Sequence, residues 1–82
     1  MNNRKSIQFE TGSAVGDMTE FLKLSLRHFC GVYRDLPDAA YCNPTVAPAL
    51  WVAIRDLGLA NSIHVVGSFD LPAHAIRLER EQ

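Results

Sequence analysis

The run NPTVAPALWVAIRDLGLA at 43–60 limits the fold more than any other stretch of this chain. Val46, Leu50, Ala53, Ile54 and Leu57 recur at spacings of three and four, which places them on one side of a helix. Proline has no backbone N–H, so Pro48 sits comfortably only in a first helical turn. With Thr45 as the expected cap, Pro48 takes the third helical position and no hydrogen bond is lost. Gly58 reads as the left-handed stop, with Leu59 closing over Ile54.

The far side of such a helix is normally charged. Here it offers Pro48, Trp51 and Val52, with only Arg55 and Asp56 as polar company. Trp51 lies about 110° and Val52 about 150° from the centre of the apolar stripe. A helix apolar nearly all round is normally buried on more than one side. The chain has 82 residues, enough for one core and no second one. Two covers for the far side are open. One is the chain's own 31–43 segment or N-terminal arm; the other is a second molecule. Trp and Arg are the residue types that most often dominate interface energy. Pro48, Trp51, Val52 and Arg55 are therefore the candidate partner-binding residues, toward a protein partner, a homo-oligomer, or both.

The rest of the chain supplies a sheet and one more helix. Ser6–Glu10 alternates Ile7 and Phe9 with Gln8 and Glu10, the two-residue period of a half-buried strand. TGSAVG is a loop by composition. Asp17 and Glu20 then have the spacing of a capping box. Met18, Leu22, Ser25, Phe29, Val32 and Leu36 form one stripe, flanked by Phe21 and Tyr33, so the helix is expected to run to about Leu36. Pro37 stops it. Ala39–Cys42 reads as a short strand. SIHVVGSF at 62–69 is almost continuously apolar and is expected at the sheet centre. Ala75–Glu81 alternates Ile76 and Leu78 with Arg77 and Glu79, which suggests an edge strand with one wet face.

The expected fold class is α+β, a two-layer sandwich in which two helices pack on one face of a small mixed sheet. The element order is β-α-β-α-β-β. Residues 1–82 read as a single domain, with 1–5 as a flexible arm. The order resembles part of a thioredoxin-like fold. Without a C-x-x-C motif, the resemblance implies no activity.

Charge narrows the partners. Eight Lys and Arg stand against nine Asp and Glu, so no bulk basic excess draws the chain to nucleic acid or an anionic membrane. The longest apolar run, VAPALWVAI at 46–54, falls far short of the roughly 20 residues a membrane span needs. MNNRKSIQFE lacks the apolar run of a signal peptide, so the expected location is the cytoplasm, where thiols stay reduced.

The densest group of chemically versatile residues is RHFCGVYRDLPDAAYCN at 27–43. In a helix, His28 and Cys30 point about 160° apart and cannot share one ion. Cys30 and Cys42 lack the spacing of a zinc knuckle, and buried structural thiols account for them. His64 and His74 lack a framed nucleophile, and the carboxylates sit at helix ends and turns. The glycines form neither G-x-G-x-x-G nor a P-loop. No catalytic, cofactor-binding or metal-ligating residue is assigned. Lys23, Arg27 and Arg34 form a basic line on the outer face of the first helix, where they could touch phosphates. The expected function is a small cytoplasmic protein–protein interaction or accessory module that self-associates through its second helix. One alternative is a nucleic-acid-associated accessory protein using Lys23, Arg27 and Arg34. A further one is a small His/Cys metal-binding protein or enzyme.

Overall fold

A computed structural model describes residues 4–11 and 18–81. The elements are β1 (Lys5–Glu10), α1 (Met18–Tyr33), β2 (Ala39–Cys42), α2 (Ala47–Asp56), β3 (His64–Gly67) and β4 (Ala75–Arg80). The strands form one sheet in the order β1-β4-β2-β3. β4 runs antiparallel to both its neighbours, while β2 and β3 are parallel, joined through α2.

Strand register explains why both helices share a face. Ile7, Leu78, Ala40 and Val65 form one row across the sheet, and Phe9, Ile76, Cys42 and Gly67 form the next row on the same side. Apart from Gly67, all of these belong to the core, together with Leu22, Leu26 and Phe29 of α1 and Leu50, Ala53 and Ile54 of α2. The opposite face carries Ser6, Gln8, Glu10, Ala39, Tyr41, His64, Val66, Arg77 and Glu79. This is the expected α+β sandwich, two helices against a four-stranded mixed sheet.

The strand order differs from the sequence expectation. β4 is central and β3 lies at the edge. In a two-layer sandwich every strand has one wet face, so the alternating charges of β4 carry no information about its neighbours. Ala75, Ile76 and Leu78 of β4 are buried, while His64 and Gly67 at the two ends of β3 are exposed. β3 is also shorter than the apolar run from which it is drawn.

Three local expectations shift as well. α1 ends at Tyr33 and not near Leu36, because Arg34 turns into the left-handed region at φ 56° and its N–H bonds to the Cys30 carbonyl at 2.9 Å. Leu26 is fully buried where Val32 was expected to be. It lies about 40° from Leu22 on the helical wheel, and Val32 about 80° to the other side. Thr45 does not cap α2; Val46 holds that position, and Pro48 is the second helical residue. Asn43 organises the entry. Its Oδ1 accepts from the Thr45 N–H (3.0 Å) and hydroxyl (2.8 Å), and its carbonyl accepts from the Val46 N–H.

The exit of α2 follows the expectation closely. Gly58 has φ +74°, the Leu59 N–H reaches the Ile54 carbonyl (2.9 Å) and the Gly58 N–H reaches Arg55 (3.0 Å). These are the two bonds of a Schellman stop. Arg4 and Lys5 are held by the sheet: Lys5 pairs with Arg80, and Arg4 Nε lies 2.9 Å from Glu79 Oε1. The Asp17 cap lies outside the described residues.

Candidate functional site

The second helix divides its surface three ways. Leu50, Ala53 and Ile54 face the core. Asp56 faces α1, where its Oδ2 lies 3.1 Å from Lys23 Nζ. Trp51 is five residues before Asp56, about 140° around the helix. It therefore points away from α1, toward the side where β3 ends the sheet. Trp51 is 47% exposed, Pro48 and Arg55 are exposed, and Val52 is half-buried. All four predicted residues thus share one outer side of α2. Neither the 31–43 segment nor any other described part of the chain hides Trp51 fully from water.

Next to this flank runs an unpaired strand edge. Backbone polar groups alternate direction along a strand. The His64 N–H bonds to the Asp38 carbonyl (2.9 Å) and the Ser68 N–H to the Cys42 carbonyl (2.8 Å), both toward β2. The N–H and C=O groups of Val65 and Gly67 therefore point outward. Among the described residues, none bonds to them. The sequence did not flag this feature, because it depends on which strand lies outermost. Phe69, in the turn just after β3, is 84% exposed.

A second apolar flank lies on α1, over the other end of the sheet. Leu24, His28 and Val32 form an i, i+4, i+8 row, with Leu24 59% and Val32 53% exposed. Phe9 of β1 meets the His28 ring edge-on at 5.6 Å. Phe9, Leu24, Ser25 and His28 line an open hollow of about 290 Å³. The spacing of Leu24, His28 and Val32 was present in the sequence, but the wider core stripe masked it.

The basic line on α1 is divided by the fold. Lys23 Nζ sits between Asp56 (3.1 Å) and Glu20 (3.6 Å), on the α2 side. Its hydrogen bond to Asp56, reinforced by the charges of both acids against partial desolvation, raises the lysine's pKa. Arg27 stays exposed on the helix, and Arg34 lies past the helix end. The three do not form one continuous helical face.

The thiol and imidazole groups are also dispersed. Cys30 and Cys42 are free thiols, and burial pushes the pKa of both up, with the charge of Asp35 adding to the effect at Cys30. A raised thiol pKa keeps the less reactive protonated form. His28 meets Phe9 edge-on, His74 Nε2 lies 3.7 Å from Glu10 Oε1, and His64 opens β3 on the exposed face. Among the described residues, no three His, Cys, Asp or Glu side chains gather to hold a metal ion. None of the described helices is long and apolar enough to cross a membrane.

The open sheet face satisfies its own charges. Arg77 stacks on Tyr41 at 4.8 Å, and its Nε lies 2.9 Å from Glu79 Oε2, a close charge contact outside hydrogen-bond alignment. Fold and surface together define a class: a small α+β sandwich with an exposed helix flank beside a free sheet edge. No protein-family model, curated protein or solved structure matches this chain.

Proposed function

We propose that this chain is a small protein–protein interaction module that works in the cytoplasm and self-associates through the outer side of α2. The observation that carries the reading is the half-exposed Trp51, set among Pro48, Val52 and Arg55. A buried aromatic hides 150–250 Å², so the uncovered half of Trp51 amounts to about 100 Å². At about 25 cal/mol per Å², covering it contributes roughly 2.5 kcal/mol per copy. Two copies give roughly 5 kcal/mol, near the bottom of the estimated cost of bringing two molecules together. Trp51 is thus an anchor that needs further contacts beside it.

Trp51 is the chain's single tryptophan, so its fluorescence reports this surface alone. The test is sedimentation velocity across micromolar to millimolar protein, with emission spectra taken in parallel. Wild-type protein is expected to sediment faster and shift its emission to the blue as concentration rises, and Trp51→Ala to remain monomeric. A monomer at every concentration with unchanged Trp51 emission removes the proposal.

A further inference from the structure

The strand edge beside Trp51 specifies how two copies meet. Resting on the self-association reading, we infer that β3 pairs antiparallel with β3 of a second copy. The two sheets become one sheet of eight strands, and the two α2 helices lie side by side above it, with Trp51 in the seam.

Three features select this geometry. The first is register. The outward N–H and C=O groups belong to Val65 and Gly67, on either side of Val66. An antiparallel mate turned about a two-fold axis at Val66 places Val65 opposite the mate's Gly67, and Gly67 opposite its Val65. Each such pair exchanges two hydrogen bonds, so all eight outward groups are satisfied. The edge is complementary to itself.

The second feature is the lack of edge protection. Native edges are blunted by charges, proline or bulges. β3 reads HVVG and has none of these, only shortness. The other edge, β1, carries Lys5 and Glu10, and the Ser6 carbonyl is approached by the Tyr33 hydroxyl at 3.5 Å. A head-to-tail chain of β3 on β1 is therefore disfavoured relative to the closed pair. The net charge of −1 leaves little repulsion between copies.

The third feature is spacing. Strands lie about 4.8 Å apart and a helix is about 10 Å across, so two helices cover four strands. Extending the sheet by a second copy brings the next α2 to about one helix diameter from the first, the usual packing distance. Trp51 points into that gap.

The size of the contact sets the conditions of the test. α2 is about 15 Å long, from ten residues at 1.5 Å each. The smallest dimension of the molecule is 20 Å. The end face is then on the order of 300 Å² per copy and 600 Å² in total, below the roughly 1,000 Å² of a stable interface. A weak dimer, micromolar or weaker, is expected, and measurements must extend to millimolar protein.

Two measurements decide it. Hydrogen exchange of the wild type, followed by NMR, is expected to slow about ten-fold or more at Val65 and Gly67 as protein rises from dilute to millimolar, while Gln8 and Glu10 on the β1 edge stay unchanged. In the second, Val66→Lys and Val66→Glu place like charges across the two-fold axis, about 4.5 Å apart at Cα. Each variant alone is expected to be monomeric where the wild type dimerises, and an equimolar mixture to dimerise again. Val66 lies on the open face, so the core is untouched, and the exchange experiment needs no substitution at all. Val66 variants that associate like the wild type, with Trp51→Ala monomeric, overturn the edge pairing and leave the α2 reading standing. A wild-type monomer at all concentrations removes both. Growth into open-ended oligomers overturns the two-fold closure.

Discussion

The same substitution, Gly→Ala, is expected to have opposite effects at two positions of this fold. Gly58 ends α2 with φ +74°, and Gly31 lies within α1. A methyl group added at either one meets nothing within 4 Å, so packing is removed from the comparison. At Gly58 an alanine is forced into the left-handed region, at about 1–2 kcal/mol. The stiffer unfolded chain returns about 0.4–1 kcal/mol, leaving a net loss near 1 kcal/mol. At Gly31 the helix gains about 0.5–1 kcal/mol from alanine. The two variants should then differ by roughly 1.5–2 kcal/mol. For a domain of this size each kcal/mol moves Tm by about 4–8 °C, so the gap is about 6–16 °C. The assay is thermal unfolding followed by circular dichroism in dilute protein, where association adds nothing to apparent stability. Gly58→Asn should fall between Gly58→Ala and the wild type, because Asn tolerates this region. Should Gly58→Ala be neutral or stabilising, the Schellman account of the α2 exit is wrong.

Other expected outcomes can be checked on the same samples. Leu26→Ala should cost about 2–5 kcal/mol in urea denaturation and Val32→Ala less than about 0.5 kcal/mol, since one is fully buried and the other half exposed. Both thiols have raised pKa values in the folded state, so their contribution is complete below the unfolded thiol pKa of about 8.5 and is lost as pH rises through the folded values. Stability should therefore decline on the alkaline side, and less steeply in Cys42→Ala; equal slopes refute the buried-thiol account. At neutral pH, iodoacetamide should label Cys42 only as fast as the protein unfolds. NMR titration of Lys23 Nζ should give a value above that of an ordinary lysine, returning toward it in Asp56→Asn.

What the sequence revealed and what it hid divide along the range of the interactions. The α2 exit is local: Gly58, Leu59 and Ile54 lie within six residues, and one backbone requirement fixes them. The short β2 and the outward angle of Trp51 are readable for the same reason. The entry of α2 was displaced by one residue, because Asn43 and Thr45 are both able to organise a turn and only geometry shows that Asn43 does. The extent of α1 depended on Arg34, an unusual residue for the left-handed position that carries no sequence signature there. Lys23 read as a free outer cation because its partner, Asp56, is 33 positions away. Strand order is the least local property of all. Arg77 and Glu79 are what a central strand of a two-layer sandwich also shows on its wet face.

That strand placement bears directly on the proposed pairing. Had β4 lain beside β3, it would have consumed the outward hydrogen bonds of Val65 and Gly67 and extended the sheet past α2. The flank bearing Trp51 would then have rested over the chain's own strand. Instead β1, β2 and β3 run in one direction with a single-strand gap between β1 and β2, and β4 fills that gap antiparallel. The choice has a physical basis. In the gap, Ile76 and Leu78 have neighbours on both sides and the helices above, and both are fully buried. At the β3 edge, β4 would gain one neighbour only. The arrangement that places Ile76 and Leu78 in the core therefore leaves β3 uncovered, and the uncovered strand lies on the side to which Trp51 points. Exposed tryptophan and free edge are two consequences of one topological event, so the proposed β3 pairing would cover both with one second copy.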